Sequence, residues 1–274
     1  MSTQPGVRGR AWFRALTEHD SPMHGDPGSV LTSDAAVGNE TARFLCVVPN
    51  PHARFPCARR GEVGLEEAYT LAARVREVID QDANGNKRPI IVIVDVKSQA
   101  YGRREETAAI FLAAAASADA YATARMKGHP VITLVVGQAI SGGFLTHGYQ
   151  ANRILAFDDP DVVIHAMHKE AAARITLRSV ADLERLGHEI VPMSYDIRDF
   201  AELGLLHKLL HVENPDNPSP ATVAQVRQEL IAAIADAHAG ANDLSNHLTS
   251  EGARQMRLAS LALRDRMEKE WATA

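Results

Sequence analysis

"VVGQAISGGFLTHG", residues 135–148, leaves an apolar β-type stretch, passes through the adjacent Gly142 and Gly143, and enters a helix-like segment. A strand that delivers two glycines to the first turn of a helix leaves backbone N–H groups unpaired at a terminus where the peptide dipoles favour negative charge. With no Cβ in the way, a carbonyl oxygen can approach such a turn closely, so the pattern points to an anion or oxyanion site. The same letters also suit a helix packed tightly on a strand. A dinucleotide-binding turn is excluded, because Gly137 is followed by Gln138 and Ala139 rather than by a second and third glycine in register. A phosphate-binding P-loop is excluded as well, since no Gly-Lys-Ser/Thr occurs. The nucleophile elbow is nearer: Ala139-Ile140-Ser141-Gly142-Gly143 departs from G-x-S-x-G only at its first position, which makes Ser141 a candidate nucleophile. His165, His168, His188 and His207 could then act as base, with Asp158, Asp159, Asp161 or Asp196 as orienter. Capping of the following helix by the Ser141 hydroxyl is the competing reading.

Outward from this stretch the chain alternates strand and helix. Residues 131–136 form the strand that feeds the glycines, and Gly142–Gln150 a short helix beyond them. Upstream, "IIVIVDV" within Pro89–Val96 is a continuous apolar run of the kind buried on both faces in a parallel sheet. Leu65–Asp80 carries apolar residues at amphipathic helical spacing, and an Ala-rich helix is expected over 105–126, closed by Gly128 and Pro130. Ser29–Leu31 and Ala42–Val48 flank the polar turn "GNET" as in a hairpin, while Arg153–Phe157 and Val162–His165 read as short strands. Residues 221–239 and 251–271 read as terminal helices, the second with an apolar stripe at Leu258, Leu261, Ala262 and Met267 that would cover the core or a partner. The order implies right-handed crossovers and an α/β fold. Its expected divisions are an N-terminal arm at 1–28 with a short peripheral helix around Arg10–Leu16, a main domain at 29–240, and a C-terminal helix at 241–274.

Composition narrows the function classes. The 274 residues are 46% apolar and 23% charged, enough to bury a sizeable core. A net charge of −5 argues against nucleic acid as the main partner, which needs a concentrated basic face. No apolar run approaches the roughly 18 residues of a bilayer span, and "MSTQPGVRGRAWF" lacks the apolar core of a secretory signal, so a cytoplasmic protein is expected. Cys46 and Cys57 have no metal-ligand spacing and are expected to be reduced thiols, and no metal site is expected.

A second loop, "VDVKSQAYGRREE" at 94–106, leaves the other buried strand at the same edge of the sheet as the glycines and can form the opposite wall of one pocket. Taken in order, Asp95, Tyr101-Gly102 with "RREE" at 103–106, the long helix, Gly128-His-Pro130, "GQAISGGF" at 137–144 and "NRILAF" resemble the carboxyltransferase branch of the crotonase superfamily. The chain is similar to the α half of acetyl-CoA carboxylase carboxyltransferase. "RFPCARRGEVGLEEAYTLAARV" (54–75) and "QAYGRREE" (99–106) make it more similar still to the γ subunits of biotin-independent malonate decarboxylases, over about residues 8–240.

The resemblance implies a crotonase-like ββα spiral core with C-terminal helices, and a site built against a homologous β subunit in a heterodimer. It implies decarboxylation of a malonyl group held as a thioester on the prosthetic group of an acyl-carrier subunit, loaded by a separate transferase subunit, with no cofactor bound by this chain. Gly142, Gly143 and Phe144 match the family's oxyanion loop through their main-chain N–H groups, while Ser98, Gln99 and Ala100 fall where carboxyltransferases have a Pro-Gly-Ala type turn. Lys97-Ser98-Gln99 keeps neither that Pro nor that Gly, so the second wall is altered. Arg103 is the candidate for attracting a carboxylate or carrier phosphate, and a solvated ion pair with Glu105 or Glu106 is its bland alternative. His165 and His168 are candidates to protonate the carbanion. A biotin-dependent carboxyltransferase subunit and a serine hydrolase using Ser141 are the alternatives.

Overall fold

A computed structural model describes residues 6–272; the first five residues of the 1–28 arm and the last two of the 241–274 segment lie outside it. The chain opens with helix α1 (Val7–Thr17), followed by the hairpin strands β1 (Val30–Val37) and β2 (Glu40–Val47) and helix α2 (Leu65–Gln81). Next come β3 (Ile90–Val96), the short α3 (Arg103–Thr107), α4 (Ile110–Met126), β4 (Val131–Ile140) and α5 (Ser141–Thr146). Beyond them lie β5 (Arg153–Phe157), β6 (Val163–His165), α6 (Lys169–Thr176), α7 (Val180–Glu189), α8 (Ile197–Glu202) and β7 (Lys208–Leu210). Four helices end the chain: α9 (Pro220–Ala239), α10 (Asn246–Thr249), α11 (Glu251–Met256) and α12 (Leu258–Ala272).

One seven-stranded sheet runs β1-β2-β3-β4-β5-β7, with β6 on β4. Among the strands of the described residues the β1–β2 pair alone is antiparallel; Val37 pairs with Glu40, so Gly38-Asn39 is a two-residue turn. Every residue of β3 is buried, as its unbroken apolar run requires. β4 extends past the expected end at Val136, because it has two successive neighbours. Its first half pairs with β5 (Ile132–Val135) and its last three residues with β6 (Gln138–Ile140). β1 also outruns its expected end at Leu31. Its polar tail is held by the ladder to β2 rather than by propensity.

The peripheral helix expected around Arg10–Leu16 is instead central. Trp12, Phe13 and Leu16 of α1 are at most 1% exposed, and the Trp12 ring meets the edge of Phe157 at 4.7 Å while its indole N–H donates to the Pro215 carbonyl at 2.8 Å. Three large apolar residues on one face suffice to bury a short helix whose other face is polar. Asp95, at the end of β3, completes the attachment: its carboxylate accepts from the N–H of Gly6 (2.7 Å) and Gly9 (3.1 Å), capping α1 from a distant strand.

Two expected helices are interrupted. The segment 105–126 breaks at Ala109, which adopts a left-handed φ of 61°, and 251–271 breaks at Arg257. Alanine is the best helix former, so the first break is imposed by tertiary packing and has no local signal. α12 buries none of its described residues, and Leu258, Leu263, Met267 and Trp271 are exposed, so its apolar stripe does not cover this chain's core. No helix among the described residues is long and apolar enough to cross a membrane.

Candidate functional site

β3 and β4 are parallel neighbours, so the loops that leave them emerge together. Asp95 joins their roots by also accepting from the Gln138 N–H at 3.1 Å. After β3 the chain is held extended by Val63, whose N–H donates to the Ser98 carbonyl (3.0 Å) and whose carbonyl accepts from the Ala100 N–H (2.8 Å). After β4 the chain turns sharply at Ser141, with φ at +61°, into α5.

What lies against the two glycines is the other loop. A Cβ on Gly143 would stand 2.5 Å from the Ser98 carbonyl oxygen and 3.0 Å from the Gln99 nitrogen, so backbone packs on backbone there. A Cβ on Gly142 would collide with the Gln99 side-chain amide. The close-packing reading of the glycines therefore holds, and it is the same contact that brings both loops into one wall. Being close-packed does not remove their donors. In α5 the N–H groups of Ser141, Gly142 and Gly143 precede the first intrahelical bond, whereas Phe144 stands where its N–H ordinarily reaches the Ile140 carbonyl. The Phe144 ring is buried edge-on to Tyr149 at 5.4 Å.

The remaining candidates spread around this wall. Ser98 and Ala100 are buried, and the engaged Ala100 N–H is no free donor. Arg103 is exposed at the start of α3 and, with Arg104, Thr107 and Ala108, lines an open concavity of about 760 Å³. His165 pairs with Ile140 across the β6–β4 ladder, one residue from the turn at Ser141. Its ring stacks on Tyr195 at 3.8 Å, its Nδ1 faces the Met167 carbonyl (2.9 Å) and N–H (3.1 Å), and burial lowers its pKa. His168 is the half-buried residue preceding α6. His147 is structural: fully buried, it contacts the Tyr121 hydroxyl and the Ile93 carbonyl, both at 3.1 Å, and burial pushes its pKa down to about 4.

Ser141 neither caps α5 nor meets a histidine. Its Oγ lies 2.7 Å from the Tyr101 hydroxyl, and the residues proposed as triad orienters are engaged elsewhere. Asp159 pairs with buried Arg8 at 3.1 Å, Asp158 with Arg198 at 2.6 Å, and Asp196 caps α8. Cys46 and Cys57 are free thiols, and burial pushes Cys57 up to about 11. Sequence reading missed Tyr101, the Gln99 side chain over Gly142, and the capping role of Asp95. The first had a signal, an aromatic residue alone in a polar loop at a strand's carboxyl end; the other two depend on contacts between distant segments.

Two loops at the carboxyl edge of a mostly parallel sheet, one of them a strained strand-to-helix turn, belong to an α/β protein of the crotonase-like fold. Carboxyltransferases of low identity share it: the chain matches transcarboxylase 12S with a TM-score of 0.57 at 18% identity, over 78% of this chain and 36% of that one. The particular family is more specific. Residues 58–271 match the model of the malonate decarboxylase gamma subunit, and the chain belongs to that family. It is 49% identical to a chain of a Pseudomonas malonate decarboxylase hetero-tetramer in complex with coenzyme A, aligned over 96% of this chain and 99% of that one with a TM-score of 0.92. A Pseudomonas malonate decarboxylase MdcD-MdcE hetero-dimer matches with a TM-score of 0.89 at 49% identity, over 96% and 99% of the two chains. The malonyl-S-ACP:biotin-protein carboxyltransferase of Malonomonas rubra is 32% identical over 245 residues, 87% of this chain and 78% of that protein.

Proposed function

We propose that this chain works as one half of a carbon–carbon lyase: paired with a homologous β subunit, it decarboxylates a malonyl thioester carried on an acyl-carrier subunit that a transferase subunit loads. The observation that carries this reading is the convergence of Gly142-Gly143 with Ser98-Gln99 into a single wall beside unpaired helix N–H groups. Loss of carbon dioxide moves an electron pair onto the thioester oxygen, and donors fixed in advance stabilise that charge as it develops. Gly142 and Gly143 supply the donors, with Phe144 behind them as packing. Ser98 and Gln99 back that wall from the other loop, Ala100 ties it to Val63, Arg103 attracts the anionic carrier arm, and His165 and His168 border the acyl end. This chain contributes backbone dipoles and shape, and the thioester is carried by another subunit's prosthetic group.

Support for the β partner comes from the Pseudomonas hetero-dimer, and for a carrier-bound malonyl substrate from the Malonomonas rubra relative. The test is to purify the chain with its β partner and measure carbon dioxide release from malonyl-acyl-carrier thioester without biotin. Turnover by the complex and its loss by about 100-fold in Gly142→Ala support the reading: the alanine keeps its N–H, but its Cβ displaces the Gln99 amide and misplaces the donors, and a misplacement of about 1 Å costs roughly 10²-fold in rate. No release by the wild-type complex, or release only with a biotin acceptor, would overturn it.

A further inference from the structure

The Tyr101 side chain belongs to no packed core: it is 56% exposed, yet its hydroxyl is fixed 2.7 Å from Ser141 Oγ. Ser141 is itself held at a φ of +61°, a conformation uncommon outside glycine, directly before Gly142. The phenol is anchored at its other end, where the Tyr101 carbonyl accepts from the Cys57 thiol at 3.4 Å, and the preceding Ala100 N–H is tied to Val63. Two loops thus meet through a pair of hydroxyls placed one residue from the proposed oxyanion donors.

A hydroxyl pair has one proton more than the bond between them uses. When Ser141 donates to the Tyr101 oxygen, the phenol proton is free to point away from it. Two of the nearby imidazoles are less available. His147 has both nitrogens engaged in the core, and His165 has Nδ1 against the Met167 backbone.

We propose that Tyr101 is the acid that quenches the enolate, and that Ser141 is its positioning residue, an inference that rests on the decarboxylation reading above. The bond between C2 and the carboxyl carbon breaks, its electron pair enters the enolate and carbon dioxide departs. The enolate pair then takes the Tyr101 proton at C2, giving the acetyl thioester. The phenolate, stabilised by the Ser141 hydroxyl, is reprotonated by water, which the exposure of the ring admits.

The experiment uses the complex with its β partner, malonyl-acyl-carrier thioester and buffer containing ¹³C-labelled carbon dioxide. It compares net acetyl formation with return of label into the malonyl group. With Tyr101→Phe the enolate forms but waits for its proton, so kcat falls on the order of 100-fold with KM nearly unchanged, and label return rises relative to net turnover. Ser141→Ala produces the same shift to a smaller extent, about tenfold. A Tyr101→Phe complex with wild-type kcat, or with lowered kcat and no added label return, overturns the assignment. Inactivity of the wild-type complex overturns the decarboxylation reading, and this assignment with it. Denaturation midpoints of both variants are read alongside. A variant that keeps its midpoint and shifts the partition separates proton delivery from structure.

Discussion

The two flanks of the site are built differently. The glycine flank grows directly out of the core: β3 is wholly buried, β4 nearly so, and α1 is pressed against them by Trp12 and Phe13. The histidine flank, residues 158–207, is thinly packed. Its helix α6 buries Ala173 alone, α7 buries Leu183 and Gly187, and Ile175, Leu177 and Ile190 stay exposed, Leu177 at 93%. Polar ties hold it instead, such as Lys169 to Glu184 at 2.8 Å and the Ser179–Asp182 capping box. One flank is shaped by this chain's own burial, whereas the other leaves apolar surface to water of the kind that marks contact sites.

The sharpest way to break this contrast is Trp12→Ala. If the glycine flank depends on the core, this variant loses about 4 kcal/mol by cavity formation, read as a lower denaturant midpoint. A loss below about 1 kcal/mol would return α1 to the periphery. Acid comes next. His147 is neutral in the fold with a pKa near 4, against about 6.5 unfolded, so the unfolded chain binds more protons in between. Stability is complete above pH 6.5 and is lost as pH falls toward 4, by up to about 3 kcal/mol from this group. His147→Gln should flatten that slope in a pH series of unfolding curves, and an unchanged slope would refute it. Gly143→Val, which drives a side chain into the Ser98 backbone, should cost about 2 kcal/mol and disorder both loops. Gly142→Ala meets only a movable Gln99 side chain and should keep its midpoint while losing turnover. The smallest effect belongs to the other flank: Lys169→Ala should change stability by less than about 1 kcal/mol, because its ion pair is exposed. A larger loss would show that flank to be rigidly built.

What could be read from the sequence followed the range of each signal. β3 and α2 have unbroken local patterns, and each matches its expected bounds at one end and misses by one residue at the other. The paired glycines were legible as a place of close approach, but not what approaches, since Ser98 and Gln99 arrive from another strand. The extension of β4 to Ile140 depends on β6, and the break at Ala109 on packing, so neither leaves a mark in its own letters. Ser141 and Tyr101 each carried a local signal, an elbow-like motif and a lone aromatic in a polar loop, but their pairing across two loops left none.

Asp95 has a practical corollary. A single carboxylate grips amides from the start of α1 and from the root of the glycine turn, so α1 is mechanically in series with the proposed site. Affinity handles and trimmed ends near residue 6 would tug on that linkage and be felt as altered chemistry.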